Sequence, residues 1–344
     1  MKYITFTIPS YNSQDYMRHV IDNLVAVGED IEVIIVNDGS KDDTGKIADE
    51  YQAKYPSIVK AVQKENGGHG SGVMAGLRLA SGLYYKVVDS DDWVETHDVL
   101  DMVSLIKKHI EEKEDIDLYI TNYVYEHTLD NSRFVMHYRK FLPLEKTFAW
   151  DDIKHIKLET VFLMHSLMYK TEKLRASGME LPDHTFYVDD IYAYVPLPYM
   201  QKIFYHDLDF YHYFIGRSDQ SINYSIMCKR YEQQMRVWEI MYNAYSLEEL
   251  KKLPKNMYKY MWQFLMIIGA VTIMTIVGTK EDKELRKKVF REYFDKLKQV
   301  DKPMYKKFRY RSYAFLAFVL PGYNLKSYAV RKIYQGYQKK LKLG

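Results

Sequence analysis

The sequence predicts an α/β fold in which a mixed, mainly parallel sheet is flanked by helices and followed by a helical C-terminal region. Over the first 90 residues, short β-branched runs alternate with segments of helical apolar spacing, which is the pattern of βαβ units. A cluster of polar residues follows each predicted strand of this part. From about Met227 the apolar spacing is helical throughout. These patterns predict a parallel sheet in the N-terminal part and helices at the C-terminal end.

The individual elements follow from local spacing. Strands rich in Val, Ile, Thr and Tyr, as in buried parallel sheets, are predicted at residues 3–8, 31–36, 58–63 and 84–88. Helices with apolar residues three or four positions apart are predicted at residues 15–27, 44–55 and 71–81. Residues 118–125 form a further strand, and residues 161–169 suit either a strand or a short helix. A chain of 344 residues is long enough for two domains.

The polar clusters coincide with the carboxyl ends of the predicted strands. They cover residues 9–12, 37–40, 65–68 and 89–92. In a parallel sheet the carboxyl ends of the strands meet at one edge, and ligands bind in the crevice outside that edge. One such cluster is an ordinary turn, but four in succession predict a single site.

The last cluster, Asp89-Ser90-Asp91-Asp92, has the densest charge. In an extended segment, side chains two positions apart point to the same side, so Asp89 and Asp91 present two carboxylates together. This pattern suits Mg²⁺ or Mn²⁺, which take oxygen ligands. The alternative is a helix start in which Asp92 is only the N-cap.

Three stretches carry a resemblance to a known family: "IPSYN", "IIVNDGSKDDT" and "ENGGHGSGVMAGLRLASGLYYKVVDSDDW". In this order they resemble the family 2 glycosyltransferases, which have the GT-A (Rossmann-like) fold. The resemblance is close over about the first 100 residues and looser to about residue 225. It implies a catalytic domain at 1–225, with a nucleotide-sugar-binding half at 1–100 and an acceptor-binding half at 101–225. Residues 226–344 would then form the helical C-terminal region with its basic tail.

The resemblance also implies roles in binding a nucleotide-diphosphate sugar. By position, the donor-binding residues would be Pro9 and Tyr11 in the base pocket, Asp38 on the nucleobase, Asn66 and Gly67 near the nucleoside, and Asp89 near the ribose. Asp91 would be the metal ligand, with Asp89 beside it. For Tyr11, simple packing on the domain is an equally good interpretation.

Two later stretches complete the expected site. In "FYVDDIY", Asp190 matches the general base of the family, with Asp189 as the second choice, although Asp190 would also suit a helix N-cap. In "LDFYHYFIGRSDQSIN", Phe214 replaces an arginine that is usual in the family, so Arg217 is the substitute cation for the leaving diphosphate. His212 would be an additional metal or phosphate contact, or simply a packed side chain.

Composition indicates where the protein works. Cys228 is the single cysteine, which fits a reducing compartment, and the longest apolar run, 264–277, is too short for a typical membrane span. From Lys302 to the end there are eleven Lys or Arg and no Asp or Glu. This basic, aromatic tail predicts binding to an anionic membrane surface, while a solvated helical bundle is the alternative. No base-reading motif points to nucleic acid. We expect a cytoplasmic protein, peripheral on the inner face of the cell membrane.

The resulting hypothesis is an inverting glycosyltransferase that depends on Mn²⁺ or Mg²⁺ and moves a sugar, most simply from a UDP-sugar. The acceptor would be a bacterial surface glycan or a lipid-linked glycan. A membrane-associated scaffold that binds nucleotide sugars without turnover is the first alternative. A sugar-nucleotide nucleotidyltransferase is disfavoured, because "IPSYNSQD" lacks the glycine and arginine that would hold a triphosphate.

Overall fold

The computed structural model describes residues 1–127, 132–153, 161–215, 224–278, 281–311, 318 and 320–341. The chain divides into two units, Met1–Ile215 and Gly216–Gly344. The first unit contains the sheet, and the second contains only helices among its described residues.

In the described part of the first unit, nine strands form one sheet. They are β1 (Ile4–Ser10), β2 (Ile31–Asp38), β3 (Val59–Lys64), β4 (Tyr84–Val87), β5 (Leu118–His127), β6 (Arg133–Met136), β7 (Thr147–Phe148), β8 (Leu167–Lys170) and β9 (Ile203–Ile215). Their spatial order is β3-β2-β1-β4-β8-β5-β9-β7, and β6 pairs with β5. The first four strands are mutually parallel, β8 is antiparallel to both of its neighbours, and β5 and β9 are parallel. The predicted mixed, mainly parallel sheet is confirmed.

The strands occur where β-branched runs predict them, with ends that differ by a few residues. Strands β1 and β2 are buried along their whole length, because helices cover both faces of a parallel sheet. The ambiguous stretch 161–169 contains both elements: a 3₁₀ helix, Met164–Ser166, turns directly into β8.

Within the described ranges of this unit, six helices accompany the sheet: α1 (Met17–Val25), α2 (Thr44–Lys54), α3 (His69–Leu79), α4 (Thr96–Glu111), α5 (Thr171–Ala176) and α6 (Asp189–Tyr194). Two further 3₁₀ helices cover Trp150–Asp152 and Leu197–Tyr199. Helix α3 packs closely on β1: a Cβ at Gly72 would lie 2.9 Å from the Cβ of Pro9. Glycine is therefore required where this helix meets the sheet.

The topology fixes the position of the crevice. Strand β1 has β2 on one side and β4 on the other, so the chain order of the parallel strands reverses at β1 and β4. Ligands bind at such a switch point, outside the carboxyl ends of the strands. Here the loops that follow the two strands touch, since the hydroxyl oxygens of Ser13 and Ser90 are 2.8 Å apart.

The second unit is an assembly of helices in its described residues. They are α7 (Tyr224–Lys229), α8 (Tyr231–Ala244), α9 (Leu247–Lys252), α10 (Lys255–Val277), α11 (Lys283–Val300), α12 (Lys302–Arg311) and α13 (Tyr323–Leu341). Aromatic side chains pack around Gly269 of α10, where a Cβ would lie 2.7 Å from the Trp238 ring. Arg286 is buried, and its guanidinium donates 3.0 Å hydrogen bonds to the carbonyls of Thr275 and Cys228. Cys228 itself is buried.

Helix α10 contains the apolar run noted in the sequence. Among the described residues it is the one helix long and apolar enough to cross a membrane, yet 72% of its most apolar window is buried inside the protein. Its burial is what a core helix of a helical unit requires. The preference for a buried helix over a membrane span therefore agrees with its packing.

Candidate active site

Asp38, the last residue of β2, organises the loop that follows β3. Its carboxylate is 3% exposed and accepts hydrogen bonds from the backbone N–H groups of Gly67 at 2.9 Å and Gly68 at 2.7 Å. The Lys64 ammonium at 2.5 Å and the Asn66 amide at 3.1 Å are its other donors. These four donors match the four acceptor positions of a carboxylate. A nucleobase N–H could reach Asp38 only by displacing one of them.

The loop after β1 contains the two residues predicted for the base pocket. Pro9 is buried within β1, paired with Val36 of β2. Tyr11 is 51% exposed, and its backbone N–H donates to the Ser13 hydroxyl at 3.2 Å. The Tyr11 ring is thus accessible to a ligand at the switch point, whereas Pro9 is buried, and a role of either residue in a base pocket stays a prediction.

The loop after β3 connects the two acidic clusters. Gly67 and Gly68 bind Asp38, and the next residue, His69, places its Nε2 2.7 Å from Asp89 Oδ1. Four successive residues, 66–69, therefore touch the end of β2 at one side and the end of β4 at the other. The predicted convergence of these strand-end loops is present in the structure.

Asp92 is not the helix cap that the alternative interpretation requires. Helix α4 begins at Thr96, and Glu95 occupies its N-cap position. Asp92 is instead 2% exposed, and it accepts hydrogen bonds from the Tyr211 hydroxyl at 2.6 Å and from the Phe214 N–H at 2.9 Å. Its burial beside strand β9 makes it part of the site.

A histidine that sequence reasoning missed joins this cluster. One ligand atom each from Asp89, Asp92 and His165 lie within 4.8 Å of one another, the arrangement of side chains that can hold a metal ion. His165 is 5% exposed, and its Nδ1 has no hydrogen-bond partner among the described residues. Its one sequence signal was the His-Ser pair inside an otherwise apolar and aromatic stretch, "VFLMHSLMY".

Lys86 is a second buried group that the sequence pattern concealed. It lies within β4, fully buried, and its ammonium donates to the carbonyls of Met164 and Leu167, each at 3.2 Å, and of His165. These bonds clamp the 3₁₀ turn that carries His165. In the sequence, Lys86 is simply one residue of the run preceding Asp89.

Electrostatics distinguish the three carboxylates nearest the cluster. Burial, together with the negative charges of Asp91 and Asp89, raises the pKa of Asp92 well above its usual value. Burial also raises the pKa of Asp189, with Asp89 adding to the effect and His69 opposing it. For Asp89, burial alone would raise the pKa, but the charge and hydrogen bond of His69 outweigh it and lower the pKa.

Burial acts on the pKa of the two neighbouring histidines in the direction opposite to its effect on the carboxylates. Burial lowers the pKa of His165 to about 4, so the imidazole is neutral at physiological pH. Burial likewise would lower the pKa of His69, but the adjacent Asp89 carboxylate, with Asp189 and Asp91, outweighs it and raises the pKa. Neutral imidazole is the form that binds metal ions.

Helix α6 carries the predicted catalytic pair. It begins at Asp189, and Val188 is its N-cap, so Asp190 lies in the first turn and is not a cap. Asp190 is 9% exposed. The preceding segment bends back to the third loop, where the His184 N–H donates to the Gly67 carbonyl at 2.6 Å. His184 and Tyr187 both have positive φ, which is strained for residues other than glycine.

His212 lies on strand β9 with a buried side chain. Its Nδ1 is 2.8 Å from Glu126, its ring stacks on Trp93 at 5.0 Å, and its backbone forms a bridge to Trp93. His212 is therefore packed and hydrogen-bonded through Nδ1, and its contact with metal or phosphate stays a prediction. Asp91 remains a predicted ligand, half-buried and close enough for its charge to act on Asp92. Arg217 lies outside the described residues.

Comparison with known proteins agrees with this geometry. The sequence profile described as "Glycosyl transferase family 2" matches residues 5–166. Glycosyltransferase GlyA of Streptococcus pneumoniae is 30% identical over 192 residues, which is 51% of this chain and 27% of GlyA. Other curated glycosyltransferases align over 15% to 80% of their own length, so the chain spans only a fraction of most of them.

Solved structures with the same fold are more distant in sequence. S. aureus TarS 1–349, crystallised with UDP-GlcNAc, superposes with a TM-score of 0.65 at 17% identity, covering 98% of this chain and 92% of that one. Mannosyltransferase PcManGT from Pyrobaculum calidifontis, in complex with GDP-Man and Mn²⁺, gives a TM-score of 0.52 at 12% identity and covers 95% and 86%. At such identities the likeness establishes the fold.

Proposed function

Because the chain belongs to glycosyltransferase family 2 and has the GT-A fold, we propose that it transfers a sugar from a nucleotide-diphosphate donor to a glycan. We propose further that the reaction inverts the anomeric centre, depends on Mn²⁺ or Mg²⁺, and uses a UDP-sugar. TarS, which has the same fold, binds UDP-GlcNAc, and this supports the proposed class of donor. PcManGT binds GDP-Man and Mn²⁺, and this supports the proposed metal.

One observation carries the proposal: residues 66–69 join the carboxylate of Asp38 to the carboxylate of Asp89. Two strand-end loops and the acidic cluster thus border one crevice at the switch point of the sheet. An extended ligand with a base at one end and a diphosphate at the other suits such a crevice. Asn66 and Gly67 would support the nucleoside side of this ligand.

The acidic cluster has the chemistry that a divalent cation requires. Asp89, Asp91 and Asp92 crowd together so closely that two negative neighbours, after burial, help to raise the pKa of the third. A bound cation removes this repulsion. Asp89 and Asp91 would hold Mn²⁺ or Mg²⁺, which when bound offsets negative charge on a diphosphate. Asp89 would also face the ribose.

The transfer itself needs a base on the acceptor side. Asp190 would take the proton from the acceptor hydroxyl. At the same time the hydroxyl oxygen bonds to the anomeric carbon, and the bond between that carbon and the diphosphate oxygen breaks. Asp189 precedes it on the same helix and is influenced by the charges of His69 and Asp89, so it lies on the side of the acidic cluster. We therefore propose Asp190 as the base and Asp189 as a residue between base and donor, with Arg217 as a candidate contact to the diphosphate.

We propose that the acceptor is a surface or lipid-linked glycan reached at an anionic membrane. A cavity of about 490 Å³ in the second unit has Lys251, Lys306 and Lys307 in its lining, together with the aromatic rings of Tyr258 and Tyr310. Cations mixed with tyrosine are typical of surfaces that meet lipid headgroups. This cavity and the basic tail support a peripheral position on the cytoplasmic face of the membrane.

The donor and the metal can be tested together by thermal unfolding of the full chain with a panel of nucleotide sugars, with and without Mn²⁺. We expect one donor, in the presence of Mn²⁺, to raise the melting temperature, because a ligand that binds only the folded state stabilises it. The Asp91→Ala variant should lose this shift. Glu111→Ala, at an exposed position at the end of helix α4, is the matched control and should keep it.

Turnover separates the enzyme from a non-catalytic scaffold. Incubation of the stabilising donor with cell-envelope glycans should release the nucleoside diphosphate and leave the sugar on the glycan with an inverted anomeric centre. Donor binding without release of the diphosphate would favour the scaffold. Release of pyrophosphate from a nucleoside triphosphate and a sugar phosphate would favour the nucleotidyltransferase.

A further inference from the structure

We infer that His165 and Asp92 are further ligands of the metal centre, beside the proposed ligands Asp89 and Asp91, and that Lys86 is the residue that positions His165. The inference rests on the proposed function and deepens it, because a nitrogen ligand changes which cation the site prefers.

The geometry of the three side chains is the first observation. A nitrogen of the His165 ring and one carboxylate oxygen from each aspartate lie within 4.8 Å of one another. Ligands on one ion are separated by roughly 3 Å, since each lies about 2.0–2.3 Å from it. Small side-chain movements bring these atoms to that separation. Asp92 remains able to bind, because each of its oxygens accepts one hydrogen bond and retains a further lone pair.

The second observation is an unsatisfied nitrogen. Buried polar atoms nearly always have a hydrogen-bond partner. His165 Nδ1 is buried and has none among the residues that the structure describes. A histidine present only to fill the core would be replaced at lower cost by an apolar side chain. The ring therefore has a buried nitrogen without a partner and a nitrogen within 4.8 Å of two carboxylate oxygens, which points to a missing partner at this site.

The third observation is that the His165 ring is held in place from two sides. The centroids of the Tyr211 and Tyr213 rings lie 4.6 and 4.4 Å from the centroid of the His165 ring. The Tyr123 ring contacts it edge-on, with 5.6 Å between centroids. On the backbone side, the Lys86 ammonium donates to three carbonyls of the turn and the residue after it, including that of His165. Groups that fix the orientation of a ligand are a regular part of metal centres.

The other two histidines near the cluster are already engaged. His69 bonds Asp89, and His212 bonds Glu126 and stacks on Trp93. They therefore provide internal controls. A set of carboxylates with one imidazole favours a transition-metal ion, whereas Mg²⁺ prefers oxygen ligands only. We accordingly infer that the centre selects Mn²⁺ over Mg²⁺.

Electron spin-echo spectroscopy of Mn²⁺ bound to the full chain tests the assignment directly, with Mn²⁺ alone and with Mn²⁺ plus UDP. A coordinated imidazole gives modulation from its ¹⁴N nucleus, so the wild type should show this modulation. His165→Gln should abolish it and weaken Mn²⁺ binding at least about 10-fold, with Mg²⁺ binding changed much less. His69→Gln and His212→Gln should both keep the modulation.

A second variant guards against a folding defect. His165→Asp replaces the nitrogen by an oxygen ligand, so it should bind Mn²⁺ without the ¹⁴N modulation. Modulation that persists in His165→Gln would overturn the inference. Wild-type protein that binds Mn²⁺ and transfers sugar without any modulation would also overturn it and leave the proposed function intact. Absence of Mn²⁺ binding, with sugar transfer supported by Mg²⁺, would likewise overturn the inference and leave the proposed function intact.

The role of Lys86 has its own readout. Lys86→Met should retain the ¹⁴N modulation but weaken Mn²⁺ binding several-fold, because the turn that carries His165 loses its clamp. Lys60→Met, at a more exposed lysine on the edge strand β3 of the same sheet, is the control and should leave Mn²⁺ affinity unchanged. Unchanged affinity in Lys86→Met at equal thermal stability would remove Lys86 from the metal centre.

Discussion

Two acidic sites at the same edge of the sheet differ in how completely the protein satisfies them. At the end of β2, the Asp38 carboxylate has four donors from the chain itself, two of them backbone N–H groups. At the end of β4, carboxylates crowd one another, and a buried histidine nitrogen beside them has no hydrogen-bond partner among the described residues. The first site is complete without a ligand, whereas the second is not.

The difference separates a structural from a functional use of the same side chain. A satisfied buried carboxylate stabilises the fold, and its loss leaves donors without partners. A crowded set of carboxylates costs stability until a cation or substrate arrives, which is typical of functional sites. Substitutions in the two sites should therefore act on different quantities, stability for Asp38 and activity for the cluster and its neighbours.

The largest effect is expected at Asp190. Asp190→Asn should lower the rate of sugar transfer by about 10³-fold, as general-base loss does, while the thermal shift given by the donor remains. Steady-state transfer assays and thermal unfolding measure the two quantities. Asp189→Asn is the matched comparison, and a larger loss there than in Asp190→Asn would exchange the two roles.

Asp38→Ala should destabilise the fold by about 2–4 kcal/mol, because the N–H groups of Gly67 and Gly68 lose their acceptors. Denaturant unfolding of the metal-free protein measures this loss. Asp89→Ala should cost less than about 1 kcal/mol in the same experiment, since it removes negative charge from beside Asp92 and Asp189. Equal losses in the two variants would contradict the contrast between the sites.

Gly68→Ala should destabilise by about 1–2 kcal/mol. Gly68 has a φ of +85°, and an added Cβ would lie 3.2 Å from the backbone of His184. Since the same loop contacts Asp38 and the segment before α6, donor binding should weaken as well. Gly28→Ala is the control. Its φ is also positive, but nothing lies within 4 Å of its Cβ position, so this variant measures the backbone strain without the close approach to His184.

The smallest expected effect concerns Glu32, a second satisfied carboxylate. Burial alone would raise its pKa, but hydrogen bonds from Ser81 at 2.8 Å and Thr5 at 2.7 Å outweigh burial and lower it. A lowered pKa contributes stability above the unfolded value of 4.5, and this contribution is lost as the pH falls through the folded value. Glu32→Gln should therefore destabilise the fold at pH 7, by about 1 kcal/mol if the loss is that of a typical hydrogen bond.

The check is to compare Glu32→Gln with the wild type by denaturant unfolding at pH 7 and again near pH 3. The difference between the two proteins should shrink at the lower pH. A difference that is independent of pH would assign the loss to packing and not to charge.

Most of the sheet could be predicted from the sequence, because buried parallel strands consist of runs of β-branched residues. Each of the first four runs is also followed by a cluster of polar residues. The convergence of the strand-end loops was predicted from the same rule and is seen at residues 66–69. His165 could not be predicted, since it reaches the cluster across the antiparallel strand β8, whose position between β4 and β5 depends on long-range pairing. Lys86 was hidden because its single charge lies in a strand whose other residues are apolar or aromatic.

For His212, the stretch "LDFYHYFIGRSDQSIN" predicts a position near the acidic cluster, but it does not show in which direction the imidazole ring points. Strand β9 pairs with Trp93 through a bridge, and Glu126 on β5 captures the imidazole. Side-chain direction in this bulged pair of strands is set by the register shift between β5 and β9, which only the three-dimensional structure shows.

The burial of Cys228 has a practical consequence for measuring distances in this protein. It is the single thiol of the chain, and burial raises its pKa, which suppresses the reactive thiolate. A cysteine introduced at an exposed position, such as Lys41→Cys, would therefore react first with a nitroxide reagent. Paramagnetic coupling between that label and bound manganese would then report where the ion resides, without any further engineering of the native sequence.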